Sequence, residues 1–155
     1  MKTWTKSIEI NAPIEHVWRF FDGSLEEMQK ILPQIVEITP VRVTEEVVGS
    51  IYCQKFKEGK LIQEFDVETL EYMDTPDEKR LKVGFALVNL FEVTACYELR
   101  KINESKTLFT YKVTNRPLKW LVKLILFFAT EKIIVKFVER VKSVAEAETV
   151  TLSAS

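Results

Sequence analysis

Residues 4–10 alternate, with Trp4, Ile8 and Ile10 set against Thr5, Ser7 and Glu9 and only Lys6 out of phase. A period of two predicts a strand with one buried face. The pattern breaks at Asn11-Ala12-Pro13, where Pro13 suits a helix start and Glu15 falls in the first turn, favourable to the helix dipole. Ile14, Val17, Trp18 and Phe21 then recur at the spacing of one helical face. Asp22-Gly23-Ser24 ends that helix. Leu25, Met28, Ile31 and Leu32 mark a second short one, stopped by Pro33.

From there to Arg116 the chain reads as strands and short turns. The strands fall at Ile35–Glu46, Ser50–Lys57, Lys60–Met73, Arg80–Val88, Phe91–Ile102 and Thr107–Asn115. Val48-Gly49, Glu58-Gly59-Lys60, Asp74-Thr75-Pro76-Asp77, Asn89 and Asn103-Glu104-Ser105 punctuate them. Connections this short join antiparallel neighbours, because a parallel crossover takes a dozen residues or more. The pattern predicts a meander.

Pro117 closes the meander, and Leu118 to about Glu146 is helical in composition. Its apolar face turns along the way. Leu118, Leu121, Val122, Ile125, Phe128 and Ala129 share one stripe, whereas Ile134, Phe137, Val138, Val141 and Ala145 share another. At about 100° per residue the two stripes are more than 90° apart, so a bend or bulge is expected within residues 128–132. Residues 1–146 read as one domain and 147–155 as a C-terminal tail.

Composition narrows the function. The chain has 155 residues with 46% hydrophobic and 29% charged, enough for one domain with a real core. Twenty-two basic residues oppose 23 acidic ones for a net charge of −1, so no nucleic-acid partner is expected. Two cysteines, Cys53 and Cys96, and a single histidine leave no metal-ligand pattern, and no cofactor is expected. The start, Met1 to Lys6, lacks the apolar run of a secretory leader, and Leu121–Ala129 is far shorter than the ~20 residues of a membrane span. A cytoplasmic location follows as the expectation, with both cysteines as small packed thiols.

The order of strand, two short helices, six-strand meander and long C-terminal helix is that of the helix-grip fold. Ile8-Glu9-Ile10-Asn11-Ala12-Pro13-Ile14-Glu15-His16-Val17-Trp18, with Val48-Gly49-Ser50 and the turn at Glu58-Gly59-Lys60, resembles the START-domain and birch-pollen-allergen-like superfamily (SRPBCC). The resemblance covers roughly residues 3–146, and the residues that carry it are packing residues. It implies an α+β fold: a curved antiparallel sheet wrapped around the C-terminal helix, with a cavity between them. Members bind lipids, sterols, quinones, hormones or polyketides, and some cyclise or dehydrate such substrates.

The residues offer little for catalysis. His16 lies about 150° from the centre of the first helix's apolar stripe, which predicts a solvent-facing imidazole. Glu64, Asp66 and Glu68 alternate with Phe65 and Val67, and Glu92 and Glu98 with Val93, Ala95 and Tyr97, so these acids are expected to face water. The inward set is apolar and aromatic. Its candidate ligand-binding residues are Gln63, Phe65, Val67, Phe85, Tyr97, Phe109 and Tyr111 on the strands, with Leu121, Leu124, Ile125 and Phe128 on the C-terminal helix. Thr69, Leu81, Val83 and Val93 belong to the same inward set.

Three functions stay open: carriage of an apolar or amphipathic small molecule, a polyketide cyclase or dehydratase using Tyr97 or Tyr111 as a general acid, or a module that docks on a partner protein. The turns at 58–60, 88–91 and 115–118 share one end of the sheet. Leu87, Val88, Leu90, Phe91, Trp120, Leu121 and Leu124 gather there with Lys57, Lys60, Arg116, Lys119 and Lys123. Such a rim fits either a helix buried on several sides or a portal touching an anionic membrane or acidic partner.

Overall fold

The computed structural model describes residues 2–87, 91–117 and 131–154. Seven strands form one antiparallel sheet in the order β1-β7-β6-β5-β4-β3-β2. They are β1 (Lys2–Ile10), β2 (Ile35–Arg42), β3 (Ile51–Glu58), β4 (Leu61–Asp74), β5 (Glu78–Leu87), β6 (Phe91–Asn103) and β7 (Lys106–Pro117). Strands β2 to β7 are the expected meander, and β1 closes against β7 over the full register Lys2↔Asn115 to Ile10↔Thr107. Helices α1 (Ile14–Asp22) and α2 (Leu25–Gln29) follow β1, and α3 (Glu131–Ala154) ends the chain. This is the helix-grip architecture.

Local chemistry explains the element ends. A side chain at Gly23 would bring its Cβ within 2.4 Å of the Arg19 carbonyl oxygen, so only glycine closes α1 here. Ser24 caps α2 by accepting the Glu27 N–H at 3.3 Å. Strand β2 stops at Arg42, short of the expected Glu46. The next residues are spent on a turn in which Thr44 Oγ1 donates to the Val48 carbonyl at 2.7 Å and Ser50 Oγ accepts the Thr44 N–H at 3.0 Å. Val47 sits in that turn at φ 71°, a left-handed conformation rare for a β-branched residue.

A register shift between Thr69 and Glu71 changes which residues of β4 face inward. Phe65, Val67 and Thr69 are buried before it, and Tyr72 packs into the core after it. Leu70 is turned out over Gly84, where a Cβ would meet its Cδ1 at 2.9 Å.

The main core lies between the sheet, α1 and α3. Phe20, Val17, Ile10 and Phe109 are essentially sealed from solvent, with Val138, Val141 and Ala145 of α3 packed on them. Phe20 extends the α1 stripe beyond the four positions that periodicity picked out. The buried stripe of α3 is Ile134, Val138, Val141 and Ala145, with Phe137 half-buried beside it, in line with the second stripe in the sequence. The helix runs past the expected end at Glu146 to Ala154. The expected bend at residues 128–132 lies, for its first three residues, outside the described residues, and so does the apolar rim at 88–90 and 118–124.

Candidate functional site

A cavity of about 190 Å³ lies between the centre of the sheet and helices α1 and α2. Its cause is a patch of short side chains. Val83, Ala95 and Val113 are direct cross-strand neighbours on β5, β6 and β7, and Val67 lies beside them on β4. They leave space that the longer residues around them do not fill. Phe20, Phe21 and Met28 form the helical wall with Ile31 of the turn after α2, and Phe56, Phe85, Tyr97 and Tyr111 stand at the sides. Gln54 and the two tyrosines are the polar residues in a lining that is otherwise apolar.

The aromatic wall is ordered by ring contacts. Tyr97 and Tyr111 stack at 5.4 Å with planes 7° apart, Phe21 meets Tyr97 at 4.6 Å, and Phe137 of α3 meets Tyr111 at 4.6 Å. Burial pushes both phenols up, Tyr97 well above the ordinary value and Tyr111 likewise, with each other's charge adding to the rise at Tyr97. Near neutral pH both are neutral hydroxyls and poor proton donors.

The expected site residues divide. Val67, Phe85, Tyr97 and Tyr111 line this cavity. Phe65 is buried behind it, in ring contact with Phe56 at 5.7 Å and Phe85 at 5.8 Å. Phe109 is 0% exposed and packs on Phe21, Tyr111 and Phe137 in the core. Gln63 is half-buried opposite Phe56 near the start of β4, while Gln54 of β3, opposite Phe65, is the amide in the lining. Leu121, Leu124, Ile125 and Phe128 lie outside the described residues. Gln54 was readable in principle, because Tyr52, Gln54 and Phe56 alternate in phase with the inward residues of β4.

A second chamber of about 230 Å³ shares Phe21, Met28, Gln54, Val67, Leu81 and Val83 with the first and opens between α1 and the turn after β2. Asp22, Thr69, Tyr52 and Tyr72 add polar groups to it. Burial pushes the Asp22 carboxyl up, opposed by a hydrogen bond from the Tyr72 hydroxyl and reinforced by the charge of Asp74. The Trp18 indole N–H lies beside the same carboxyl but falls short of hydrogen-bond geometry. Burial and the Asp22 charge in turn push the Tyr72 phenol up to about 12.

One side chain does not sit where the pattern put it, and a second, which the pattern left unplaced, is buried. His16 is a correction: its side chain is only 13% exposed, because α3 continues far enough for Glu148 to reach its Nε2 at 3.1 Å. Glu148 also binds Lys30 Nζ at 2.8 Å, so this residue beyond 146 ties α3 to α1 and α2. Lys79, with only 2% of its side chain exposed, is held by Asp74 and by Glu15 at 2.9 Å, with the Trp18 ring 5.8 Å from its Nζ. The acids expected on the outer sheet face do lie there: Glu64 and Asp66 are exposed and Glu98 pairs with Arg80 at 3.1 Å. Cys96 is buried beneath these charges, and its thiol is pushed up to about 11 by burial and by Glu98. Among the described residues there is no cluster of three or more metal-ligating side chains, and no helix long and apolar enough to cross a membrane.

No family profile and no curated protein sequence matches the chain. Solved structures do. Norcoclaurine synthase of Thalictrum flavum, solved as a point mutant with a transition-state analogue, superposes with a TM-score of 0.66 at 14% identity over 96% of both chains. Major latex-like protein 151 of Panax ginseng gives 0.66 at 16% identity, covering 95% of this chain and 96% of that one. Ara h 8.0201 gives 0.70 at 11% identity over 97% and 98%. The di-domain ARO/CYC BexL gives 0.69 at 13% identity, with this chain spanning 48% of its length. The sheet order, the paired short helices and these superpositions agree: the chain has the helix-grip fold that these structures share.

Proposed function

We propose that this protein binds and carries an apolar or amphipathic small molecule, of the lipid, quinone or polyketide-like kind, without transforming it. The observation that supports this is the cavity beneath Ala95, apolar except for Gln54, Tyr97 and Tyr111. A concave, largely apolar space with a few orienting polar groups is the composition of small-molecule sites. Its size suits a small ring system, since a dry cavity of ~150 Å³ accepts benzene. A cyclase would ask Tyr97 or Tyr111 to give up a proton, and burial makes both phenols reluctant. Two unpaired thiols fit a cytoplasmic setting.

The test is binding of indole, a neutral ring with one N–H, followed by saturation-transfer NMR. Wild-type protein is expected to bind it, and Ala95→Phe, which fills the void from the sheet side, is expected to bind it at least tenfold more weakly while keeping its fold by circular dichroism. Equal binding by both proteins, or none by either, contradicts the reading.

A further inference from the structure

Asn115, near the end of β7, is 3% exposed, yet neither its amide nitrogen nor its carbonyl oxygen meets a hydrogen-bond partner among the described residues. A carboxamide offers two N–H donors and one acceptor, and leaving them unpaired out of water costs stability. Thr107, also buried on β7, shows the ordinary arrangement by donating to the Ala12 carbonyl at 2.8 Å. Side chains alternate along a strand, so Asn115 stands on the same face as Tyr111 and Val113, which line the first cavity. Its cross-strand neighbours are Val93 of β6, a further lining residue, and Lys2 of the edge strand β1. Directly paired residues have Cβ atoms about 5 Å apart, which places the carboxamide one row beyond the apolar end of the cavity at Phe85, Val93 and Val113. The hydroxyls nearest in register, Thr94 and Thr114, bond each other on the opposite face.

Building on the carriage reading above, we propose that Asn115 orients the cargo, and that the cargo is a small ring bearing a lactam-type edge, a carbonyl with an N–H beside it. That edge is the complement of a carboxamide. The ligand carbonyl accepts an N–H of Asn115, while the ligand N–H donates to the Asn115 carbonyl oxygen. The ring would fill the space left by Val83, Ala95 and Val113, and its polar edge would reach past Val113 toward the end of β7. A neutral edge suits a neutral side chain set beside Phe85, Val93 and Val113, where a charged head group would lose its hydration without a counter-charge. Such a pair of bonds discriminates, because an analogue lacking the N–H leaves the buried carbonyl unpaired. Gln54 enters the same cavity from β3, several strands away, so a variant at Asn115 distinguishes the two amides.

The experiment compares oxindole with N-methyloxindole, which lacks the N–H, by titration calorimetry on wild type and Asn115→Leu, with indole as the reference that has no carbonyl. Wild type is expected to bind oxindole about tenfold more tightly than its methylated analogue, a preference of about 1.4 kcal/mol, and N115L to bind the two alike while still binding indole. Leucine matches asparagine closely in size and leaves nothing unpaired, so N115L is also expected to keep or raise the urea midpoint. Equal binding of the two oxindoles by wild type, a preference that survives in N115L, or indole binding without oxindole overturns the lactam inference. So does an N115L protein that unfolds at lower urea or does not fold, since the carboxamide would then serve the fold. Each of these leaves carriage standing as long as wild type binds indole, and no binding of all three compounds by wild type removes the carriage reading as well.

Discussion

The buried ammonium of Lys79 is held by two carboxylates that stand largely in water, and the double change Glu15→Gln/Asp74→Asn strands it. The lysine side chain is 2% exposed, against 67% for Glu15 and 39% for Asp74. At the 2.9 Å separation from Glu15 the gross attraction is roughly 6 kcal/mol for an effective dielectric of about 20. Most of it offsets the cost of taking the ammonium out of water. Without either acceptor the charge stays buried and uncompensated, a loss of about 3–5 kcal/mol. Deprotonation sets the ceiling, since reaching neutral lysine at pH 7 costs about 1.4 kcal/mol per pH unit below its ordinary value near 10.5, or about 5 in all. Lys79→Met, by contrast, keeps the stem against Trp18 and leaves two carboxylates that water already solvates, so it is expected to change stability by about 1 kcal/mol or less.

Urea titrations followed by tryptophan fluorescence separate these outcomes. The pH dependence has a definite sign. Burial lowers the Lys79 pKa, but the bonds to Asp74 and Glu15 outweigh it and hold the group above the ordinary lysine value. The stability it contributes is therefore complete below about pH 10 and lost as pH rises through the folded-state value. The gap between wild type and the double variant should close in that alkaline window. A Lys79→Met protein as unstable as the double variant, or a harmless double variant, would refute the reasoning.

Other expectations are simpler. Phe109→Ala should lower stability by about 3–5 kcal/mol and Trp18→Ala by a similar amount, whereas Asp66→Asn on the outer face should stay within about 0.5; equal urea midpoints would contradict the burial assignment. Cys53 should react with a thiol reagent in native protein, and Cys96, buried with its thiol pushed up to about 11, only on unfolding; rapid modification of both would contradict the packing around Cys96. Glu148→Gln should cost about 1 kcal/mol or less by loosening α3 from His16 and Lys30, which hydrogen exchange at residues 145–151 would report.

The meander was legible because alternation with short turns leaves few other arrangements, and α1 because its apolar spacing is regular. The inward row of β6 and β7 could be read as far as Tyr97 and Tyr111, which do line the cavity. The void itself could not be read. It arises where Val83, Ala95 and Val113 meet across three strands, and that depends on register rather than on any local pattern. His16 was misjudged because helix angle alone does not reveal a second helix lying over that face. Lys79 keeps strand parity with Leu81 and Val83, yet a lysine at an inward position announces nothing until Glu15 and Asp74 arrive from other elements. Asp22 looked like helix punctuation, and only the bulge in β4 that turns Tyr72 inward brings a hydroxyl to it.

Native mass spectrometry of the purified protein tests the carriage claim most directly. Wild type exposed to an organic extract of its expression host should retain a non-covalent adduct that denaturation releases, and Ala95→Phe, treated in parallel, should retain less or none. Spectra in which each protein shows only its own ligand-free mass would contradict it.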